Sequence, residues 1–186
     1  MNLKNIKRDI QEIYIYLDGY DVMSLKNRND YYDIYNEFNQ INKFRKLKSI
    51  EHHGNNRLDH INRVAKMSFL VSKKLKLDYV SCTRGAILHD FFTLEDIDKR
   101  DCGFNNMLAN HPRIALNNSL KYFNLNDIEK DVILTHMYPV VKGKPHYKEA
   151  KVVNICDKLV SFYEFFKYQL NVTANVFLLF ILNMFV

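Results

Sequence analysis

Little in this chain breaks a helix: three prolines and five glycines occur in 186 residues, and there is no tryptophan. That scarcity excludes a Pro/Gly-rich disordered class and favours a helix-rich globule. The three cysteines, Cys82, Cys102 and Cys156, show no C-x-x-C spacing. Neither a disulfide framework nor a thiolate zinc site is indicated, and a reducing cytoplasm is the expected location. Residues 1–9 are polar and offer no apolar signal region. Neither an internal repeat nor a low-complexity tract is present. Acidic residues are slightly too few to balance the basic ones, 21 against 27, leaving a formal charge of +6. This suits an anionic partner such as a nucleotide or an acidic surface. Lys, Asn, Ile and Tyr are all abundant, however, which reads as compositional bias, and specific nucleic-acid binding is not expected.

What is present is helical periodicity. Leu3, Ile6, Ile10, Ile13, Tyr14 and Leu17 predict an amphipathic helix ending near Asp18-Gly19. A loop through Asn27-Arg28-Asn29-Asp30 is expected before a second helix with Ile34, Phe38, Ile41, Phe44 and Leu47 on one face. His52 to Asn56 reads as a turn, and the spacing then predicts a helix from about Leu58 to Leu75. Leu77-Asp78 opens the next, which ends at His89-Asp90. Residues 91–110 read as a long surface loop, and Pro112 as the first helical position of a helix reaching about Phe123. Asn126 and Glu129 have the spacing of a capping box for a helix that ends at His136 before Pro139. A final helix is expected over about 148–167.

Four ionisable side chains join the dipeptide His89-Asp90 into a pattern. His60, His89, Asp90, His111, His136 and Asp157 each fall in or beside a helical segment, at gaps of 21 to 29 residues. One helix plus one loop consumes about that length, so the six can meet at one level of a bundle, as in helical carboxylate metal centres. Neutral imidazoles with carboxylates suit iron, manganese or zinc. Adjacent residues on a helix face different ways. His89 and Asp90 can therefore act together only if the helix ends there or Asp90 bridges outward, and a bridging Asp90 predicts two ions. His60, His89 and Asp157 complete the first site, and His111 and His136 the second. An unpaired carboxylate on an apolar helix face, as Asp157 is here, is costly. Arg57 and Arg113 are candidate phosphate clamps, with His53 and Lys144 as weaker ones. Arg84 is expected in a structural ion pair.

The set His60…His89-Asp90…Asp157, with Val64-Ala65 following His60 and Leu88 preceding His89, resembles the HD superfamily of metal-dependent phosphohydrolases over about residues 48–167. Leu47-Lys-Ser-Ile-Glu-His-His-Gly54, Arg84-Gly-Ala-Ile-Leu-His-Asp-Phe-Phe92, His111-Pro112 and Thr135-His-Met-Tyr-Pro139 look like small, mostly uncharacterised HD proteins of low-GC Gram-positive bacteria and mollicutes. The resemblance implies an all-α HD-domain helical bundle with an N-terminal helical extension. It also implies a six-ligand centre of two divalent transition metals, iron or manganese first, with zinc, nickel, cobalt or magnesium as others. A metal-bridged hydroxide would attack a nucleotide or other phosphoester or phosphoanhydride, with Asp90, His111 and His136 in the catalytic role. Mixed-valent di-iron oxygenases share these ligand types, and a nucleotide-sensing protein retaining the pocket is the non-catalytic alternative. The chain departs from the cyclic-dinucleotide pattern: Phe91-Phe92-Thr93, not Gly-Lys, follows the pair, and Met137 stands where that group has a second His.

The expected organisation is an N-terminal extension (1–47), an HD domain (48–167) and an apolar C-terminal helix packed on the same domain (168–186). Val172 to Val186 is almost wholly apolar but falls short of the roughly 20 residues that a spanning helix needs. A buried helix or a homodimer contact is the expected role, with peripheral membrane attachment through 172–186 as the alternative.

Overall fold

The computed structural model describes residues 23–52, 55–97 and 104–184. The amphipathic helix expected over 3–17, His53 and part of the 91–110 segment lie outside the described residues. The fold is all-α. Helix α1 (Leu25–Asn39) and the short α2 (Asn42–Lys46) lead through a 3₁₀ turn to a two-residue antiparallel ladder, Glu51–His52 with Asn55–Asn56. Then follow α3 (Arg57–Lys74), α4 (Tyr79–Leu88), α5 (Phe104–Tyr122), α6 (Asp127–Thr135) and α7 (Lys148–Met184).

The helix starts are set by side chains that satisfy otherwise orphaned backbone donors. Asn56 accepts from the Asp59 N–H at 2.9 Å, and Asp78 from the Ser81 N–H at 3.0 Å. Asn126 and Glu129 form a reciprocal capping box at α6, as their spacing implies. Behind these caps, Ile61, Val64, Ala65 and Phe69 of α3 pack with Ala86, Ile87 and Leu88 of α4, Val132 and Ile133 of α6, and Val153 and Val160 of α7, all fully buried. The α1–α2 arm belongs to this core. Phe38 lies against Phe123, with ring centroids 4.8 Å apart, and Phe44 against Phe91 at 6.1 Å. Phe91, which directly follows His89-Asp90, lies against Phe44, Tyr122 and Phe123.

Four boundaries differ from the sequence reading. The single helix expected to carry Ile34 to Leu47 on one face divides at Gln40 and the extended Ile41 into α1 and α2. Helix α1 includes 27–30, because the Ser24 hydroxyl caps it three residues upstream and the buried Tyr31 anchors its first turns. Pro112 lies inside α5, which starts at Phe104, so the 91–110 segment is shorter than a full loop. It also contains a 3₁₀ turn, Leu94–Asp96, with its own capping box from Thr93 and Asp96. A proline here supplies no N–H to the carbonyl one turn earlier, and packing of the buried Ala115, Asn118 and Ser119 holds the helix through it. Finally, α7 continues past Lys167 to Met184.

Helices α4 and α6 approach closely at Gly85, where an added Cβ would sit 2.7 Å from the Val132 Cβ. Arg84 beside it pairs with Glu129 of α6 at 2.6 Å and with Glu37 of α1, which makes it a structural cross-link. Gly85→Ala is expected to lower stability. Overpacking costs about 1–3 kcal/mol, against a helix-propensity gain of about 1 kcal/mol. Thermal denaturation should show a reduced Tm, and an unchanged or raised one would refute the close contact.

Candidate metal centre

The bundle brings helix ends together. His60 stands in the first turn of α3, while His89 and His136 are the C-caps of α4 and α6. Because α4 ends at Leu88, the chain turns out of the helix between His89 and Asp90, and the amide of Phe91 bonds back to the Leu88 carbonyl at 3.1 Å. Two adjacent residues thus reach one centre. His111 precedes Pro112 in α5, and Asp157 sits on the inner face of α7 beside Cys156 and Val160. All six side chains are buried, none more than 6% exposed.

Their donor atoms converge. His60, His89 and Asp157 form one group, and His89, Asp90 and His136 a second, each with donor atoms within 4.8 Å of one another. The Asp157 Oδ1 lies 3.2 Å from His60 Nε2 and 3.8 Å from His89 Nε2. The two oxygens of Asp90 face different rings: Oδ2 is 4.0 Å from His89 Nε2, and Oδ1 is 3.5 Å from His111 Nε2 and 3.8 Å from His136 Nε2. His111 Nε2 contacts His136 Nε2 at 2.9 Å. His89 is common to both groups, and Asp90 sets one oxygen towards His89 and the other towards His111 and His136. The second nitrogens explain the orientation. The Nδ1–H of His89 donates to the Ala86 carbonyl at 2.7 Å, and that of His136 to the Ile133 carbonyl at 2.8 Å. Each ring then turns an unprotonated Nε2 inward, the tautomer that a ligand requires.

Burial and neighbours set the charges. Burial disfavours a charged His60, but hydrogen bonds to Asp157 and Glu164 outweigh it and raise the ring's pKa to about 10. Burial lowers that of His136 to about 3, with the adjacent His89 reinforcing the effect. Burial also opposes ionisation of Asp157, yet the His60 hydrogen bond and the surrounding imidazoles hold it well below the usual carboxylate range. The thiols of Cys82 and Cys156 are pushed up by burial to about 12, so neither is a ready thiolate.

A cavity of about 460 Å³ opens onto the cluster. His60, Asp90, His111, His136 and Asp157 line its floor, with Arg57 and Lys158 as its cations. Arg57 is held over the Phe92 ring at 3.9 Å and donates to the Phe92 carbonyl at 2.7 Å, while its buried Nε has no hydrogen-bond partner. Of the other phosphate-clamp candidates, Arg113 and Lys144 are exposed and outside the cavity wall, and His53 lies outside the described residues.

Three supporting residues, Glu164, Asn154 and Lys158, were absent from the sequence reading. Glu164 is fully buried, accepts from His60 Nδ1 at 2.9 Å and pairs with Arg63 at 2.7 Å. Its signal was its position seven residues after Asp157, two turns along the same face. Asn154 donates to the carbonyls of His136, at 2.6 Å, and Tyr138, at 2.7 Å, and Lys158, one turn on, reaches the His136 carbonyl at 3.1 Å. Together they brace the end of α6 that carries His136.

No family model, curated protein or solved structure matches the chain. What the site can do is therefore read from its own residues. The buried His89 Nε2 has no hydrogen-bond partner and sits among carboxylate oxygens. Buried polar atoms are rarely left so. The donor set of imidazoles and carboxylates suits a borderline divalent transition metal. The cluster of His60, His89, Asp90, His136 and Asp157 could hold metal and is compatible with an HD-like metal site.

A His60 ring with a pKa near 10 carries an extra proton at pH 7, and a ligand nitrogen must lose it. Metal uptake should release about one proton from this ring, and affinity should rise with pH up to about 10. Calorimetric titration in buffers of differing ionisation enthalpy counts the protons, and a count of zero would show that His60 is not held protonated in the metal-free protein. Glu164→Gln should weaken metal affinity about 10–100-fold, as loss of a partner behind a ligand does. Competition with a chelator measures this, with circular dichroism confirming that the helices persist.

Proposed function

We propose that this chain is a metal-dependent phosphohydrolase of the HD type, acting on a small phosphorylated substrate, with a nucleotide as the first candidate. The observation behind it is the gathering of six buried donor residues, five of them lining a cavity that also carries Arg57 and Lys158. His60, His89 and Asp157 would hold one ion, and Asp90, His111 and His136, beside His89, a second. Iron or manganese fits this donor set best. When bound, such ions polarise a phosphoryl oxygen and lower the pKa of water towards neutrality.

The protein's own residues supply the rest. The Arg57 guanidinium, stacked on Phe92 and lining the same cavity as Asp90, offers a planar fork that matches phosphate oxygens. Lys158 adds a second positive charge on the opposite element, tethered to the end of α6. Burial lowers its pKa, with the Asp157 carboxylate acting the other way. Phe92 packs beside His111, with ring centroids 5.5 Å apart, and the exposed Phe162 and Phe165 stand at the cavity's outer edge. Charges on the buried residues of the cavity interact more strongly than in bulk water.

Purified protein reconstituted with manganese or iron should bind close to two ions per chain. It should release phosphate from at least one member of a panel of nucleotides and phosphoesters. His89→Ala and Asp90→Asn should lose metal and turnover together. Turnover without oxygen separates hydrolysis from oxygenase chemistry. A wild-type protein that takes up no metal, or gains no activity when loaded, would overturn the assignment.

A further inference from the structure

The outward face of α7 has an unusual charge pattern. Lys148, Lys151, Ile155, Leu159, Phe162 and Phe166 recur every three or four residues, so they share one face. All six are exposed, Phe162 by 65% and Ile155 by 57%. The helix has three acidic residues, Glu149, Asp157 and Glu164, and every one is buried. From Tyr168 to Met184 its sequence contains no charged residue. The outer face is therefore basic at its start, apolar beyond, and without a negative charge among the described side chains.

This face adjoins the cavity. Phe162 and Phe165 line its mouth with Met137 and Val140, the last 67% exposed. Contiguous exposed apolar surface of this kind marks a contact site. A second copy of the chain suits it poorly. Parallel copies would set Lys148 and Lys151 against themselves, and antiparallel copies would set them against the apolar half, with no acid on either face to pair. An anionic lipid surface meets both halves: phosphate headgroups attract the lysines, and the acyl boundary accepts Leu159, Phe162 and Phe166. The overall charge of +6 acts in the same direction. Among the described residues no helix is long and apolar enough to cross a membrane, so the contact is one in which the helix lies along the interface.

We propose that the outer face of α7, from Lys148 to Phe166, seats the protein on an anionic lipid surface with the cavity mouth beside the interface. Flotation of the full chain with lipid vesicles tests this without recourse to catalysis. The protein should float with vesicles containing phosphatidylglycerol, weakly with pure phosphatidylcholine, and less as salt is raised. Leu159→Asp with Phe166→Asp, and separately Lys148→Glu with Lys151→Glu, should each cut the bound fraction by roughly tenfold or more. Helix content and metal uptake should remain as in the wild type. Three results would overturn the proposal: no flotation of the wild type, equal flotation of both double variants, or light scattering that shows a dimer dissolved by the same substitutions.

Discussion

The structure depends on where α4 stops. An α-helix separates neighbouring side chains by about 100°, so a continued helix would send His89 and Asp90 to different sides. The helix instead ends at Leu88, and three contacts hold that end in place. Gly85 lets α4 press against Val132 of α6, Arg84 ties the same turn to Glu129 and Glu37, and Phe91 is gripped by Phe44 and Phe123. The α1–α2 arm, which carries no donor itself, thus acts on the centre through its aromatic side chains.

Placing so many ionisable groups out of water is costly unless each is compensated. Here the compensation is layered. Arg63, a fifth exposed, neutralises Glu164, Glu164 accepts from His60, and His60 in turn donates to Asp157. The Nδ1 atoms of His89 and His136 are satisfied by carbonyls of their own helices, and burial keeps His136 from taking up a charge. The result is a buried cluster with fixed tautomers, a preorganisation that a binding site needs.

The fold class was legible from the 3.6-residue periodicity, because each core helix has one continuous apolar face. The helices carrying His89 and His136 were placed by residues with a local signal: Asp78 and Asn126 mark starts that coincide with the structure. Pro112 misled because proline favours the first turn in isolation, whereas here tertiary packing carries α5 through it. The Asn-Arg-Asn-Asp stretch misled for a related reason: loop-like composition yields to a cap and a buried Tyr31. Glu164, Asn154 and Lys158 escaped notice because their roles depend on which groups lie across from α7. Sequence spacing shows a shared face but not the partner opposite it. Arg113 and Lys144 show the converse, since proximity in sequence to His111 and to the loop after His136 does not bring either to the cavity.

Helix α7 sets Asn154, Lys158 and Asp157 against the end of α6 and the imidazoles, and Glu164 two turns beyond against His60. These positions are related only by rotation about one rigid axis. Substitutions on the outer face leave that relation intact, but inserting or deleting one residue between 154 and 164 would turn everything beyond it by about 100°. Glu164 would leave His60, or Asn154 would leave the carbonyls it braces. The length of this stretch is therefore fixed by its buried side alone, whatever the outer face carries.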